Sequence, residues 1–290
     1  MIFKKVYITN SGVALRGLKL IRNSVFDNVP TSNFYKYSLF KKVTEKKKIF
    51  KNGNYLIVHN HWSSGYHHWV TEALVRLSNV ESRNYDLILP ENYPNFAFDS
   101  LETFQFNSIY KLPTKTGCIL ESVTIPPNPP SGIYKRNELS RIRSHFFAAY
   151  NIEFNPYRKI YITRKNAARR RVENEEEIVP VLKNFDVEII DTSLLTFKQQ
   201  VELFAQCKII ISIHGAGLTN ALFMHNKTHL IEFYKDKTFI NPCYENMCNE
   251  LDIQFHRLLC EGGKNKETHV NFTDLLVDKN KLESLLKKII

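Results

Sequence analysis

A run of isoleucines that leads directly into two glycines is the feature that most constrains how this chain folds. Residues 209–213 include four isoleucines, which are β-branched and predict a buried strand. His214 stands where the strand stops, and Gly215 and Gly217 permit a tight turn because they lack a Cβ atom. Residues 218–224 then have the pattern of a helix start. Strand, turn and helix together aim backbone N–H groups and a positive dipole end at one point, which favours an anion such as a diphosphate.

The same segment is also compatible with an ordinary strand-to-helix turn, and this alternative stays open. The dinucleotide-binding fingerprint has a third glycine, whereas this chain has Asn220 at that position. If the segment binds a diphosphate, the residues that we predict to contact it are His214, Gly215, Ala216, Gly217, Leu218, Thr219 and Asn220.

The amino-acid composition is typical of a globular protein, and the net charge indicates an anionic partner. The 290 residues have room for about two domains, and 43% of them are hydrophobic, which is enough for sizeable cores. No apolar run approaches the ~20 residues that span a bilayer. The five cysteines lack a Cys-x-x-Cys spacing, so we expect unpaired thiols and a cytoplasmic location. The net charge of +11 indicates nucleic acid, a membrane surface or a phosphorylated substrate as partner.

Strands and helices alternate along most of the chain, which predicts an α/β fold with parallel sheets. In the first half we predict strands at 55–59, 85–89 and 117–125, and helices at 66–77 and 133–150. In the second half we predict strands at 159–163, 187–190, 209–213, 230–234 and 253–259, and helices at 175–184, 196–206 and 274–290. The proline-rich segment 126–130 is a rigid connector.

These patterns predict two Rossmann-like domains that face a ligand-binding cleft. The predicted boundaries are 1–150 for the first domain, 151–270 for the second, and 271–290 for a C-terminal helix that returns to the first.

Basic residues crowd into the segment 158–171. Arg164 directly follows a predicted strand, so it lies at the carboxyl edge of the sheet, where ligands bind in such folds. A guanidinium there can bind phosphate oxygens in two places, and we predict this role for Arg164 and Arg171. A solvated basic loop is the alternative, and we favour it for Lys165 and Arg169. A nucleic-acid site is disfavoured because no aromatic residues are interleaved among residues 164–171 and no recognised binding motif appears.

His68 and Glu72 are spaced i, i+4 on a predicted helix, so both side chains lie on one face. A carboxylate beside an imidazole can act as a general base. The alternative is a packing histidine beside a solvated helix carboxylate. The histidines at 59, 61, 67 and 68 form a cluster, but no cysteine stands near and no ligand spacing emerges, so we predict no metal site.

Glu232 interrupts the apolar strand 230–234. A buried carboxylate is costly without a partner, and either a pair of sugar hydroxyls or a nearby Lys or Arg could supply one. No Asp-x-Asp occurs, so the usual carboxylate clamp for a nucleotide-bound metal is missing. A diphosphate bound here must therefore be neutralised by backbone amides and arginines.

Three blocks of the sequence resemble glycosyltransferase family 61. The first is residues 66–77, YHHWVTEALVRL. The second joins residues 161–164, YITR, to residues 171–175, RVENE. The third runs from QVELF at 200–204 through HGAGLTN at 214–220 to Glu232. The resemblance covers roughly residues 55–235 in order.

The resemblance implies a GT-B-type enzyme that transfers xylose, arabinose or N-acetylglucosamine from a UDP-sugar, with inversion and without a metal or other cofactor. Glu72 would be the base with His68 orienting it, or the reverse. Arg164, Arg171 and the amides at 215–219 would stabilise the leaving group, and Glu232 would hold the ribose. The chain lacks the N-terminal membrane anchor of the animal and plant enzymes, which favours a cytoplasmic, bacterial-type member.

The expected acceptor is a hydroxyl of a polysaccharide, a capsule glycan, a lipooligosaccharide or a lipid-linked oligosaccharide. The positive charge is also compatible with peripheral contact at an anionic inner membrane surface. Two other functions stay open: a non-catalytic protein that binds sugar nucleotides, and, less favoured, a basic protein that binds nucleic acid.

Overall fold

Two β-sheets, one in each of two structural units, organise the chain. The computed structural model describes residues 1–26, 28–235, 240–264 and 272–290. The first unit is Met1–Ile142 and the second is Arg143–Ile290. Mixed α/β structure is present in both, as the alternating pattern predicts. Within the described ranges, every helix falls short of the length and apolarity that a bilayer crossing requires.

The first unit contains a mixed sheet. Its strands are β1 (Ile2–Ile8), β2 (Ala14–Arg16), β3 (Lys19–Leu20), β4 (Lys46–Phe50), β5 (Tyr55–Leu56), β6 (Asp86–Pro90), β7 (Ser108–Leu112) and β8 (Thr116–Thr124). The order is β3-β2-β1-β8-β5-β6-β7, and β4 also pairs with β8. Strands β4 to β8 pair in parallel, as predicted, whereas β1 pairs antiparallel with both β2 and β8. The links between β1, β2 and β3 are too short for a parallel crossover, which explains why these three strands pair antiparallel with one another.

The helices of the first unit are α1 (Ser32–Thr44), α2 (Tyr66–His68), α3 (Leu74–Ser78) and α4 (Asn95–Leu101). Short 3₁₀ turns form at Arg22–Ser24 and Ser82–Asn84. A π turn, Trp69–Ala73, joins α2 to α3, so the helix predicted at 66–77 exists but is not regular. Helix α5 (Arg136–Tyr150) confirms the helix predicted at 133–150, with a later start.

A fully buried arginine on α3 ties the first unit together. Arg76 has no exposed surface. Its guanidinium donates hydrogen bonds of 2.7–3.4 Å to the carbonyl oxygens of Asn23, Ile57, Val58, His59 and Pro126. Burial lowers the pKa of Arg76 to about 9, although the charge of Glu72 opposes this shift. One cation therefore satisfies carbonyls from three separate chain segments, each of which would otherwise be left without a donor.

The second unit contains the predicted parallel sheet. Its strands are β9 (Arg158–Ile162), β10 (Val187–Ile190), β11 (Cys207–Ile213), β12 (His229–Lys235), β13 (Gln254–Gly262) and β14 (Leu275–Leu276). Their order is β10-β9-β11-β12-β13-β14. All pairs through β13 are parallel, and β14 is antiparallel to β13. The helices are α6 (Glu175–Asn184), α7 (Phe197–Ala205), α8 (Cys243–Leu251) and α9 (Lys279–Ile289), with a 3₁₀ turn at Thr192–Leu194.

Two of the predicted helices differ from those that the structure shows. The helix expected after Gly217 is a 3₁₀ helix, Ala216–Phe223. The closing helix, predicted to start at residue 274, begins at Lys279. The carboxylate of Asp278 accepts hydrogen bonds from the amides of Asn280 and Lys281 and so caps α9 at this point. Helix α9, predicted to return to the first domain, packs Leu282 and Leu286 into the core of the second unit. The five cysteines are buried and unpaired, as the sequence predicts.

We predict that Arg76→Met lowers the free energy of unfolding by about 3–5 kcal/mol, because carbonyls in three segments lose a buried cationic donor. Urea unfolding of the purified variant measures this change. Arg83→Met is the matched control, since Arg83 is exposed and pairs with exposed Glu81; it should shift stability by less than about 0.5 kcal/mol. Equal losses in the two variants would contradict the role of Arg76.

Candidate functional site

The first unit brings His68 and Glu72 into contact. Nδ1 of His68 lies 2.8 Å from Oε1 of Glu72, so the predicted i, i+4 contact is present. The Glu72 side chain is only 2% exposed, whereas that of His68 is 28% exposed. The carboxylate therefore lies behind the imidazole, and the imidazole is the group that a ligand can reach. Nδ1 is engaged by the carboxylate, which leaves Nε2 as the ring nitrogen available for a proton.

Asn60 holds the other side of the Glu72 carboxylate. Its Nδ2 donates to Oε2 of Glu72 at 2.9 Å and to Oδ1 of Asn128 at 3.2 Å. Its Oδ1 accepts from the amide of Trp62 at 2.8 Å. Glu72 is therefore held at both oxygens, as a positioning group would be. Asn60 is not among the residues that the sequence predicts, because its contact with Glu72 joins residues that no sequence pattern brings together.

The four clustered histidines lie in different environments. His59 is fully buried, and burial, together with the nearby Arg76 charge, lowers its pKa to about 3. His61 packs edge-on against the rings of Phe34 and Tyr37. Nε2 of His67 lies 3.1 Å from the hydroxyl of Tyr134. Within the described part of the chain, no three His, Cys, Asp or Glu side chains are grouped so that they could hold a metal ion.

The second cluster lies at the carboxyl ends of β9 and β11. These neighbouring strands flank the point where the strand order of the sheet reverses, which is where doubly wound sheets bind ligands. Arg164 follows β9 and His214 follows β11. A Cβ atom at Gly215 would lie 3.3 Å from Nη1 of Arg164, and one at Gly217 would lie 3.2 Å from Ile162. Both glycines therefore permit close approach, and neither needs a positive φ.

Arg170 lies beside Arg164 and was not singled out by the sequence. Nε of Arg164 donates to the carbonyl oxygen of Arg170 at 3.0 Å. Nε of Arg170 is buried and has no hydrogen-bond partner among the described residues. Burial lowers the pKa of both arginines, and for Arg170 the charge of Arg164 adds to the shift. Two half-buried cations that repel each other are stabilised by an anion that contacts both.

Arg171 has a different environment from its neighbour. Its Nη2 lies 3.0 Å from Oδ2 of Asp274, and its backbone amide donates to Oδ1 at 2.8 Å. The side chain is half exposed. Its charge is therefore already balanced within the protein. Of the three consecutive arginines, Arg169 and Arg170 both accept a hydrogen bond from the Arg164 guanidinium at their carbonyl oxygens, and Arg170 has the more buried side chain. The predicted Arg171 pairs with Asp274 instead.

Glu232 is fully buried and is held by protein groups at both oxygens. Its Oε1 lies 2.6 Å from Nδ1 of His214, and its Oε2 accepts from Nε of Arg257 at 3.2 Å. The prediction that this carboxylate needs a partner is therefore met by a histidine and an arginine. A ribose hydroxyl has no exposed oxygen of Glu232 to bind in this conformation. Glu232 instead fixes the ring of His214, against which Tyr234 and Tyr244 pack edge-on.

Of the residues after His214 that we predicted to contact a phosphate, only Ala216 and Gly217 are partly exposed. Leu218, Thr219 and Asn220 are fully buried. Nδ2 of Asn220 donates to Oε1 of Gln200 at 2.9 Å, so this side chain links α7 to the 3₁₀ helix. The amides at the start of that helix, and not these side chains, are the groups that could bind an anion.

Comparisons with known proteins identify the family of the chain. The family model "Glycosyltransferase 61" matches residues 66–231, a span that contains His68, Glu72, Arg164, Arg170 and His214 but not Asn60, Glu232 or Arg257. The chain is 30% identical over 106 residues to an EGF domain-specific O-linked N-acetylglucosamine transferase of Drosophila melanogaster, covering 34% of this chain and 20% of the relative. The enzyme of that name from Mus musculus is 31% identical over 102 residues, covering 33% and 19%. The chain thus matches a fifth or less of the length of these relatives.

We predict that His59 makes stability depend on pH. The pKa of His59 is about 3 in the folded protein, against 6.5 for an unperturbed histidine, so the unfolded chain binds the proton more tightly. The contribution of His59 is complete above pH 6.5 and is lost as the pH falls toward about 3, with a total on the order of a few kcal/mol. Urea unfolding at a series of pH values should show a weaker pH dependence for His59→Phe.

The matched control for this prediction is His225→Gln, which changes a partly exposed histidine of the second unit. It should keep the pH dependence of the parent protein. If His59→Phe also keeps it, acid destabilisation arises elsewhere in the chain.

Proposed function

Because the chain belongs to glycosyltransferase family 61, we propose that it transfers a sugar from a UDP-sugar to a hydroxyl group of a glycan acceptor, with inversion and without a metal ion. The relatives are N-acetylglucosamine transferases by name, which makes N-acetylglucosamine the first candidate sugar, with xylose and arabinose as alternatives. The acceptor classes remain those that the sequence resemblance implies: polysaccharide, capsule glycan, lipooligosaccharide or lipid-linked oligosaccharide. We also propose a GT-B-type architecture with two Rossmann-like domains.

The observation that carries this proposal is the pair Arg164 and Arg170 beside Gly215. Departure of UDP places negative charge on the diphosphate, and groups that already point at that charge lower the barrier most. Two guanidiniums with no carboxylate partner among the described residues supply the positive charge that a divalent metal supplies in other sites. The amides of Ala216 and Gly217 add donors at the start of the 3₁₀ helix.

We assign the general base to His68 and the positioning role to Glu72. The neutral imidazole keeps its Nδ1 proton toward Glu72 and takes the acceptor hydroxyl proton at Nε2. The acceptor oxygen then bonds to the anomeric carbon as the bond from that carbon to the diphosphate oxygen breaks, and the electron pair leaves with UDP. Glu72 stabilises the imidazolium that forms. Its 2% exposure favours this order over direct proton transfer to the carboxylate.

His214 completes the donor side of the proposed site. Its Nδ1 is fixed by Glu232, and Arg257 fixes Glu232 in turn. The imidazole is therefore held in one orientation next to Gly215, where the proposed diphosphate binds. We accordingly assign Glu232 to positioning His214 in place of holding the ribose.

We predict that Arg164→Ala and Arg170→Ala each weaken UDP binding by about 10- to 100-fold, because each removes a charged hydrogen-bond donor to phosphate. Isothermal titration calorimetry with UDP measures the affinity. Arg169→Ala and Arg171→Ala are the controls from the same segment and should leave the affinity nearly unchanged. EDTA should also leave it unchanged.

Two results would count against this assignment. Similar losses in all four arginine variants would make the segment a general basic surface. Loss of UDP binding on addition of EDTA would show that a metal ion takes part.

We predict that His68→Ala lowers the rate of UDP release by about 10²- to 10⁴-fold, because the proton acceptor is lost. Glu72→Gln should cost less, since the amide oxygen still accepts the Nδ1 hydrogen of His68. Hydrolysis of UDP-N-acetylglucosamine by water is the assay, because it requires no identified acceptor. UDP affinity should be unchanged in both variants, and His225→Gln should retain the parent rate.

A larger loss in Glu72→Gln than in His68→Ala would make the carboxylate the base. Unchanged hydrolysis in both variants would place the base elsewhere. Absence of hydrolysis by the parent protein, with UDP binding intact, would favour a protein that binds sugar nucleotides without catalysis.

A further inference from the structure

A groove with a basic lining lies on the sheet of the first unit. It is formed by residues of β1, β2, β4, β8 and α1 and has a volume of about 890 Å³. Tyr7, Leu15 and Ile119 contribute apolar surface to its floor. The charged residues that line it are Lys4, Lys5, Arg16, Lys42, Lys51 and Glu121. We call this feature the basic groove, and it shares no residue with the His68–Glu72 cluster.

The charges of the basic groove are not balanced by the protein. Five cations and one carboxylate give an excess of four positive charges, out of the net +11 of the whole chain. None of the five cations forms an ion pair in the part of the chain that the structure describes. On β4, Lys47 is exposed and lies on the same face of the strand as Ile49, so it extends the positive surface. Such a concentration of one sign of charge attracts an anionic surface.

Exposed aliphatic side chains accompany these cations. Ile49 lines the groove and is 63% exposed. Leu18 follows Gly17 of the groove and is 68% exposed, and Val43 follows Lys42 and is 82% exposed. Large apolar side chains among lysines are typical of a surface that enters the interface of a bilayer. Nucleic acid offers phosphates to the lysines but gives exposed aliphatic side chains no apolar layer to enter, and it favours aromatic stacking instead.

We propose that the basic groove docks this protein on an anionic phospholipid surface. The lysines and Arg16 contact the lipid phosphates, while Leu18, Val43 and Ile49 enter the interfacial layer. This inference does not depend on sugar transfer.

Helix α1 connects the docking surface to the candidate site. Lys42 near its end donates to the carbonyl oxygen of Gly17 at 2.7 Å. Phe34 near its start packs against Trp62, whose ring centroid lies 5.1 Å from that of His68. Lys42 lies eight positions after Phe34 on the helix, which corresponds to a rise of about 12 Å. Docking through the groove would therefore hold His68 a short distance from the lipid surface, where an acceptor carried on a lipid would be presented.

Flotation with lipid vesicles tests the proposal. We expect the parent protein to float with vesicles of phosphatidylcholine and phosphatidylglycerol, to float poorly with phosphatidylcholine alone, and to detach as salt is raised. Lys5→Gln, Arg16→Gln and Lys51→Gln combined should weaken binding on the order of 100-fold, at about fivefold for each cation. The control combines Lys208→Gln, Lys227→Gln and Lys279→Gln, which removes the same charge from exposed positions of the second unit and should retain binding.

A second variant tests the apolar contribution. Leu18→Ser combined with Ile49→Ser should weaken vesicle binding without changing net charge. Thermal melting and UDP affinity, measured on every variant, should match the parent protein. These two measurements distinguish loss of vesicle docking from misfolding of a variant and from failure of the proposed donor site.

Three outcomes would overturn the proposal. The first is equal binding of the parent protein to neutral and anionic vesicles. The second is an equal loss of vesicle binding in the combined groove variant and in the combined control variant of the second unit. The third is absence of vesicle binding together with binding of an RNA oligonucleotide that the groove variant loses, which would make the groove a nucleic-acid surface.

Discussion

The guanidinium of Arg76 is the interaction on which the first unit depends. Taking a cation out of water is costly, and here the cost is offset by carbonyl dipoles instead of a carboxylate in direct contact. The carbonyls belong to segments with little regular pairing of their own: strand β5 ends at Leu56, and residues 57–59 continue without a strand ladder. These residues lead directly to Asn60, which holds Glu72. The geometry around Glu72 thus derives from an arginine one helical turn further along the same helix.

The two clusters have the same arrangement of side chains. In each, a buried carboxylate contacts an imidazole with one oxygen, and a second protein group binds the other oxygen of that carboxylate. His68 has Glu72 and Asn60, while His214 has Glu232 and Arg257. In each case the carboxylate contacts Nδ1 of the ring and so fixes its orientation. The second partners differ, because an amide leaves the carboxylate its full charge, whereas a guanidinium neutralises part of it. The first arrangement suits a histidine that must accept a proton, and the second suits one that must only stay in place.

Much of the second unit can be predicted from sequence, because its elements alternate with clear periodicity. Helix 175–184 and strand 187–190 have the predicted bounds. The position of Arg170 beside Arg164, on which the proposed phosphate contact rests, could not be predicted in the same way. Arg170 has a left-handed backbone, with φ of 55°, and Arg171 pairs with Asp274, which is 103 residues away in sequence. Periodicity carries no information on either fact, since one depends on a local turn and the other on tertiary contact.

The π turn Trp69–Ala73, which contains Glu72 and directly follows His68, has a consequence for how this segment can evolve. A π turn contains one residue more than the α-helix would place there. Because the wider turn absorbs that residue, its removal would restore a regular helix and leave α2 and α3 facing the same sides. Arg76 would keep its carbonyl partners, but the spacing of His68 and Glu72 would shorten from i, i+4 to i, i+3. The two side chains would still share a helix face, while the alignment of the imidazole with the carboxylate would change. Among related chains, a gap of one residue at this turn would therefore mark a protein that has kept the fold and altered this contact.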